Sequence, residues 1–316
     1  VAKSKKLETL LASLDRLRPD PSSKTAIAEL GKILQSPHSV AVAQAAKIIR
    51  GAEIAQLVPD LVQAFDRSMI KPIQTDPNCL AKDSLTEALY HMGCSETRIF
   101  LAGIHHQQWE PVYGGKVDTA AKLRGTAALG LTRSAYPDLW LELGDLLGDP
   151  EPEARIGAAR AIAYSGDDRG LPLLRLRARL EDRGDVLAEY CAALIQLSPS
   201  RSVDFVASFL HHGRGEVQEL VALVLGESRA PEALVPLQTY WKHTRVQELR
   251  RTALLAIALL RCDRGVNFLL DLIGTGAEQD AKGAISALAP YYQDPNLWPQ
   301  VVQRVEKRGH LDWLGP

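Results

Sequence analysis

The chain has 316 residues, 46% hydrophobic and 24% charged, enough to bury a large core in one or two domains. Its 37 basic and 38 acidic side chains leave a formal charge of −1, which argues against a global electrostatic pull toward nucleic acid or anionic membrane. Cys79, Cys94, Cys191 and Cys262 show no CxxC spacing. That argues against a disulfide or zinc framework, and no apolar run approaches the roughly 20 residues a bilayer-crossing helix needs.

In chain order, residues 1–22, "VAKSKKLETLLASLDRLRPDPS", begin with a short amphipathic segment expected to cap the first helical unit. They lack the apolar stretch of a secretory signal, so a cytoplasmic location is the expectation. From residue 23 to 309 nearly every periodic segment is 10–14 residues long and ends in a turn rich in Gly, Pro, Asp or Ser. No run alternates with period two, which predicts an all-α chain. The clearest unit is "DPEPEARIGAARAIAYSGDDRGLPLLRLRARL", Asp149 to Leu180. Asp149-Pro150 makes a turn, Ala158, Ala161 and Ile162 form one helix's apolar side, and Gly166 ends that helix. A second helix carries Leu171, Leu173 and Leu174. Residues 296–308 are expected to supply the last helix and 310–316 a tail.

The same apolar signature, at offsets 0, +3, +6 and +7, can be anchored at Val42, Lys82, Lys122, Arg155, Leu187, Gln218, Arg250 and Ala281. So regular an interval marks an internal repeat. In "DPNCLAK" (Asp76 to Lys82) and "DPEPEAR" (Asp149 to Arg155), Asp-Pro precedes a cation by six residues; Pro59, Pro172 and Pro236 stand near helix starts in "LVPDL", "GLPLL" and "LVPLQ". With these marks the chain resembles the HEAT-repeat family, in particular its short-repeat type first recognised in phycobilisome lyases, over Ser23 to Gly309. The resemblance implies an α-solenoid, a right-handed superhelix of about eight helix pairs, in which neighbours bury the faces no pair can bury alone. It also implies, as the enzymatic alternative, a bilin lyase or chaperone for a chromophore-bearing protein. Val42, Leu187, Gln218 and Ala281 replace the family's cation, so an Asp/Arg ladder is interrupted.

Burial of Ala158, Ala161 and Ile162 projects Glu153, Gly157, Arg160 and Tyr164 onto an open stripe. Repeated along the chain, the projection gives Gln44, Lys47, Glu87, His91, Arg124, Arg160, Tyr164, Glu189, Gln196, Glu216, Glu227 and Glu248. Residues 1–135 hold 17 basic and 13 acidic side chains and the remainder 20 and 25, so this concave stripe runs from mixed-basic to acidic. Its glutamates oppose phosphate binding, and a protein or peptide partner fits it better than nucleic acid.

The pairs His105-His106 and His211-His212 fall where helices end, where imidazoles suit the free carbonyls. Without HExxH or repeated His-Glu pairs, no metal site and no cofactor are expected, and the pattern departs from the His-Glu ligands of the HEAT-repeat di-iron hydroxylase. Gly114-Gly115 is a turn, since no GxxxxGK[ST] accompanies it. Trp109-Glu110 is similar to the aromatic and carboxylate pairing of HEAT-like alkylpurine DNA glycosylases, a reading the acidic stripe opposes.

The two early repeat spacings of 40 exceed the later ones of 31–33, and the excess lies in "RSMIKPIQTDPN" (67–78) and "QQWEPVYGGKV" (107–117). Equivalent turns of consecutive repeats project from one edge, which should bring Met69, Ile70, Ile73, Trp109 and Tyr113 to one rim. Two outcomes stand open: the loops pack their apolar residues on each other, or they form a recognition rim. The expected function is a non-catalytic scaffold or adaptor. Its candidate binding residues are Trp109, Tyr113, Lys47, Arg124, Arg160, Tyr164, Glu189 and Glu227.

Overall fold

The computed structural model describes residues 2–181, 183–212 and 214–314. The protein is all-α, built of stacked helix pairs in the manner of an α-solenoid, and it divides into two compact units, Val1–Gly166 and Asp167–Pro316. In the first unit, α1 (Ala2–Leu17) packs on the first of four pairs. These are α2 (Lys24–Leu34) with α3 (Ser39–Gly51), and α4 (Val58–Ser68) with α6 (Leu80–His91). The single turn α5 (Pro72–Thr75) lies in the α4–α6 connection. Then come α7 (Thr97–Ile104) with α8 (Ala121–Arg133), and α9 (Leu139–Leu147) with α10 (Pro152–Ser165).

The second unit also has four pairs: α11 (Gly170–Leu180) with α12 (Gly184–Leu197), and α13 (Pro199–His212) with α14 (Gly215–Glu227). They are followed by α15 (Leu234–His243) with α16 (Gln247–Leu259), α17 (Asp263–Thr275) with α18 (Glu278–Leu288), and a final α19 (Trp298–Lys307). Among the described residues, no helix is long and apolar enough to cross a membrane.

Within each unit the second helices of successive pairs pack directly on one another, α3–α6–α8–α10 and α12–α14–α16–α18. Their Ala- and Gly-rich sequences explain this. A Cβ on Gly157 would lie 2.2 Å from the Gly125 Cα, so α8 and α10 meet backbone to backbone and only glycine fits. Gly157 therefore does not belong to the open stripe where the sequence projection put it.

Seven repeat anchors carry buried residues at +3 and +7, for example Leu85 and Leu89, or Ala253 and Ile257. The eighth is displaced by two residues. Lys122 is exposed and paired with Asp83 at 2.6 Å, whereas Arg124 is 2% exposed and followed at the same offsets by Ala127 and Leu131, both fully buried. With Arg124 as anchor, Asp118 precedes it by six residues, as Asp76 precedes Lys82 and Asp149 precedes Arg155.

The anchor cation has a local physical role. Lys82 Nζ donates to the Ser68 carbonyl (3.3 Å), Arg124 to His106 (2.9 Å), Arg155 to Asp149 and Pro150 (both 3.0 Å), and Arg250 to Trp241 (2.8 Å). Each satisfies carbonyls that the preceding helix or its following turn leaves without an intrahelical partner. Where the anchor is Val42 or Ala281, arginines elsewhere take over: Arg67 donates to the Leu34 carbonyl, and Arg308 to Ile273 and Gly276 (2.9 and 3.0 Å).

Among the described residues, the one sheet is an antiparallel hairpin inserted between α7 and α8. Strand β1 (Trp109–Val112) pairs with β2 (Gly115–Asp118), with Trp109 opposite Asp118 and Val112 opposite Gly115. This corrects the expectation of no strands. The two-residue turn is Tyr113-Gly114, and Gly114 takes a φ of +88° that a side chain would oppose. Aromatic and β-branched residues around Gly-Gly were the available signal. Glu110 and Pro111 obscured it by interrupting any apolar alternation.

Candidate functional site

The hairpin stands on a buried polar base. Asp118 accepts the Gln108 N–H (2.9 Å) and the Ala120 N–H (3.0 Å), and Arg124 Nη1 donates to its other oxygen at 2.7 Å. Two more guanidinium bonds reach Asp149, at 2.8 and 2.9 Å. Glu110 accepts from Gln108 Nε2 (2.7 Å), Thr119 Oγ1 (2.8 Å) and the Asn78 N–H (2.6 Å). Gln108 Nε2 also donates to the Asp76 carbonyl at 2.9 Å. One repeat earlier, fully buried Lys82 pairs with Asp76 at 3.0 Å, and Asp76 caps α6 by accepting the Ala81 and Lys82 N–H groups at 2.8 and 2.9 Å.

These bonds settle the charge states. Burial pushes the Asp118 carboxyl up, but the Gln108 and Ala120 N–H groups and the Arg124 guanidinium outweigh it and hold the group below the usual carboxylate range. Glu110 is held low by its three donors against the same effect of burial. His106 is pushed down, chiefly by burial. Asp118 and Glu110 are therefore carboxylates at neutral pH, each held by the donors around it.

The same contacts join the two long connections, since Asn78 and Asp76 of the first bond Glu110 and Gln108 of the second. The joint is polar. The apolar residues are not packed away: Trp109 is 43% exposed, Tyr113 fully so, Ile70 65%, and Ile73, Val112 and Val117 are exposed as well. Met69 is half-buried. The backbone of the first connection is constrained too, with Lys71, Asn78 and Cys79 all at φ between +50° and +60°.

The remaining predicted residues are dispersed. Lys47 is exposed on α3, and Arg160 and Tyr164 are exposed on α10. Tyr164 meets Tyr90 edge-on at 6.3 Å, and Arg133 lies 5.9 Å from the Tyr90 ring. In the second unit, Glu189 is half-buried on α12 and Glu227 exposed at the end of α14. Arg124 is the correction: it lies under the hairpin instead of on an open stripe, because the projection started from a register two residues too early. Gln108, Asp118 and Asn78 escaped notice, although the six-residue spacing from Asp118 to Arg124 repeats that of "DPNCLAK".

Burial pushes the Cys79 and Cys191 thiols up to about 12, so neither is a thiolate at neutral pH. His105 pairs with Glu142 at 2.6 Å on the surface. Among the described residues, no three of His, Cys, Asp or Glu converge in metal-binding geometry.

No family model matches the chain, and no curated protein matches its sequence. Among solved structures, it is similar to a chain in the complex of CpcE and CpcF of phycocyanin lyase from Nostoc sp. PCC7120, at 15% identity and a TM-score of 0.37, over 72% of this chain and 88% of that one.

Proposed function

We propose that this chain is a non-catalytic protein-binding adaptor that docks a partner on the hairpin Trp109–Asp118 and the neighbouring 69–79 connection, with the exposed stripe of the first unit's second helices as flanking surface. The observation that carries this reading is the outward display of Trp109, Val112, Tyr113 and Val117 on a base in which Gln108 bonds Glu110 and Asp118 bonds Arg124. Rigid aromatic residues on anchored loops supply contact area at low ordering cost, which is why they serve as binding anchors.

The charge around them favours a protein over a polyanion. In the first unit, Lys122 is matched by Asp83 and Arg50 by Glu87, and Arg124 is buried, which leaves few cations in a row for phosphates. The test is affinity purification from the native host, reconstitution with the recovered partner, and titration against Trp109→Ala and Tyr113→Ala. Weakening of about tenfold or more with an unchanged melting temperature is expected for a hot-spot pair. Unchanged affinity in both variants refutes the reading.

A further inference from the structure

The first repeat departs from its neighbours at one place. In the next three pairs an acid sits six residues before a cation: Asp76 and Lys82, Asp118 and Arg124, Asp149 and Arg155. In the first pair those positions hold Ser36 and Val42. A pocket of about 420 Å³ opens there, lined by Leu34, Val42, Ala64 and Ile70 on its apolar side and by Arg67 and Lys71 as its only ionisable residues. Arg67 reaches in to the Leu34 carbonyl, and Lys71 is exposed at the start of the α5 turn.

We infer that this pocket takes the C-terminal carboxylate and apolar last side chain of a partner protein, an assignment that rests on the protein-binding reading above. Where the neighbouring repeats carry their own buried carboxylate, this one has Ser36, and Arg67 and Lys71 line the pocket beside an apolar wall, so an incoming anion meets no carboxylate among the lining residues. A C-terminal residue presents its carboxylate and its side chain from one Cα, which matches cations and apolar wall side by side. An internal Asp or Glu has to draw its apolar group from a different residue. Ile70, Lys71 and Thr75 line the pocket, and the same connection is bonded to the hairpin through Asp76 and Asn78, so a partner on the aromatic rim can run its end into the pocket.

The test uses the full chain and a fluorescein-labelled Gly-Ser-Gly-Ser-Gly-Leu-Leu peptide, as free acid and as C-terminal amide, read by fluorescence anisotropy. The acid is expected to bind about tenfold or more tighter than the amide, with affinity falling as salt rises. Lys71→Glu should weaken the acid by a similar factor. The double variant Ser36→Asp/Val42→Lys rebuilds the ion pair of the neighbouring repeats and should abolish binding without lowering the melting temperature. Equal binding of acid and amide, or no binding of either, overturns the assignment. If that happens while partner capture still depends on Trp109 and Tyr113, the pocket assignment alone fails and the adaptor reading stands.

Discussion

Replacing Arg124 by methionine keeps the aliphatic stem and removes the charge from a site that is 2% exposed. The guanidinium bonds Asp118, Asp149 twice, and the His106 carbonyl, at 2.7 to 2.9 Å. Breaking a buried ion pair from one side costs about 3–5 kcal/mol, because the abandoned charge stays buried. The lower end applies here. Asp118 retains two backbone donors and Asp149 retains the Glu151 N–H at 2.8 Å, so about 3 kcal/mol is expected.

With a urea m-value of about 2 kcal/mol/M, Arg124→Met should lower the midpoint of the first unit by about 1.5 M. Hydrogen exchange resolved by mass spectrometry can follow residues 2–166 separately, and the hairpin amides should lose protection with α8. The loss should also depend on pH. Asp118 has a folded pKa below its unfolded value, so its stabilisation is present above about pH 4 and fades as pH falls through the folded value. Wild type and variant should therefore converge as pH falls through the depressed folded value. A midpoint shift below about 0.3 M at pH 7, with hairpin exchange unchanged, refutes the reading of Arg124 as the hairpin's support.

Gly157→Ala should destabilise the first unit by about 1–3 kcal/mol in thermal melts, since the added methyl must push α8 and α10 apart; a melting temperature equal to wild type counts against the close contact. Lys82→Met leaves Asp76 buried opposite an apolar side chain and should cost about as much as Arg124→Met, measured by the same urea titration. Deleting Gln107 to Lys116 removes Gln108 and Glu110 from the base and should lower stability as well as binding, whereas Trp109→Ala and Tyr113→Ala should move binding alone. Mixing the purified protein with a bilin should leave the absorbance unchanged and transfer nothing to an acceptor subunit; transfer supports a lyase in place of an adaptor.

The helix pairs were legible because their signals are local. Ala158, Ala161 and Ile162 recur at helical spacing, Gly166 ends α10 where expected, and the eight-pair repeat needs only such patterns to stack. The hairpin is half legible: its Gly-Gly turn shows in the sequence and its strands do not, because Glu110, held by Gln108, and Pro111, tolerated on an edge strand, break the apolar alternation.

The tertiary structure alone decided where the charges lie. Arg124 and Lys122 are two residues apart, both cationic, both on α8. One is buried against Asp118 and Asp149, the other exposed against Asp83, because a two-residue shift turns a helix by about 200° and so exchanges its faces. Nor could the sequence show that Ser36 and Val42 leave a pocket, since that depends on Arg67 and Lys71 arriving from the next repeat. Sequence periodicity determines which elements form and stack, whereas side chains meeting across tens of residues determine which of their charges remain for a partner.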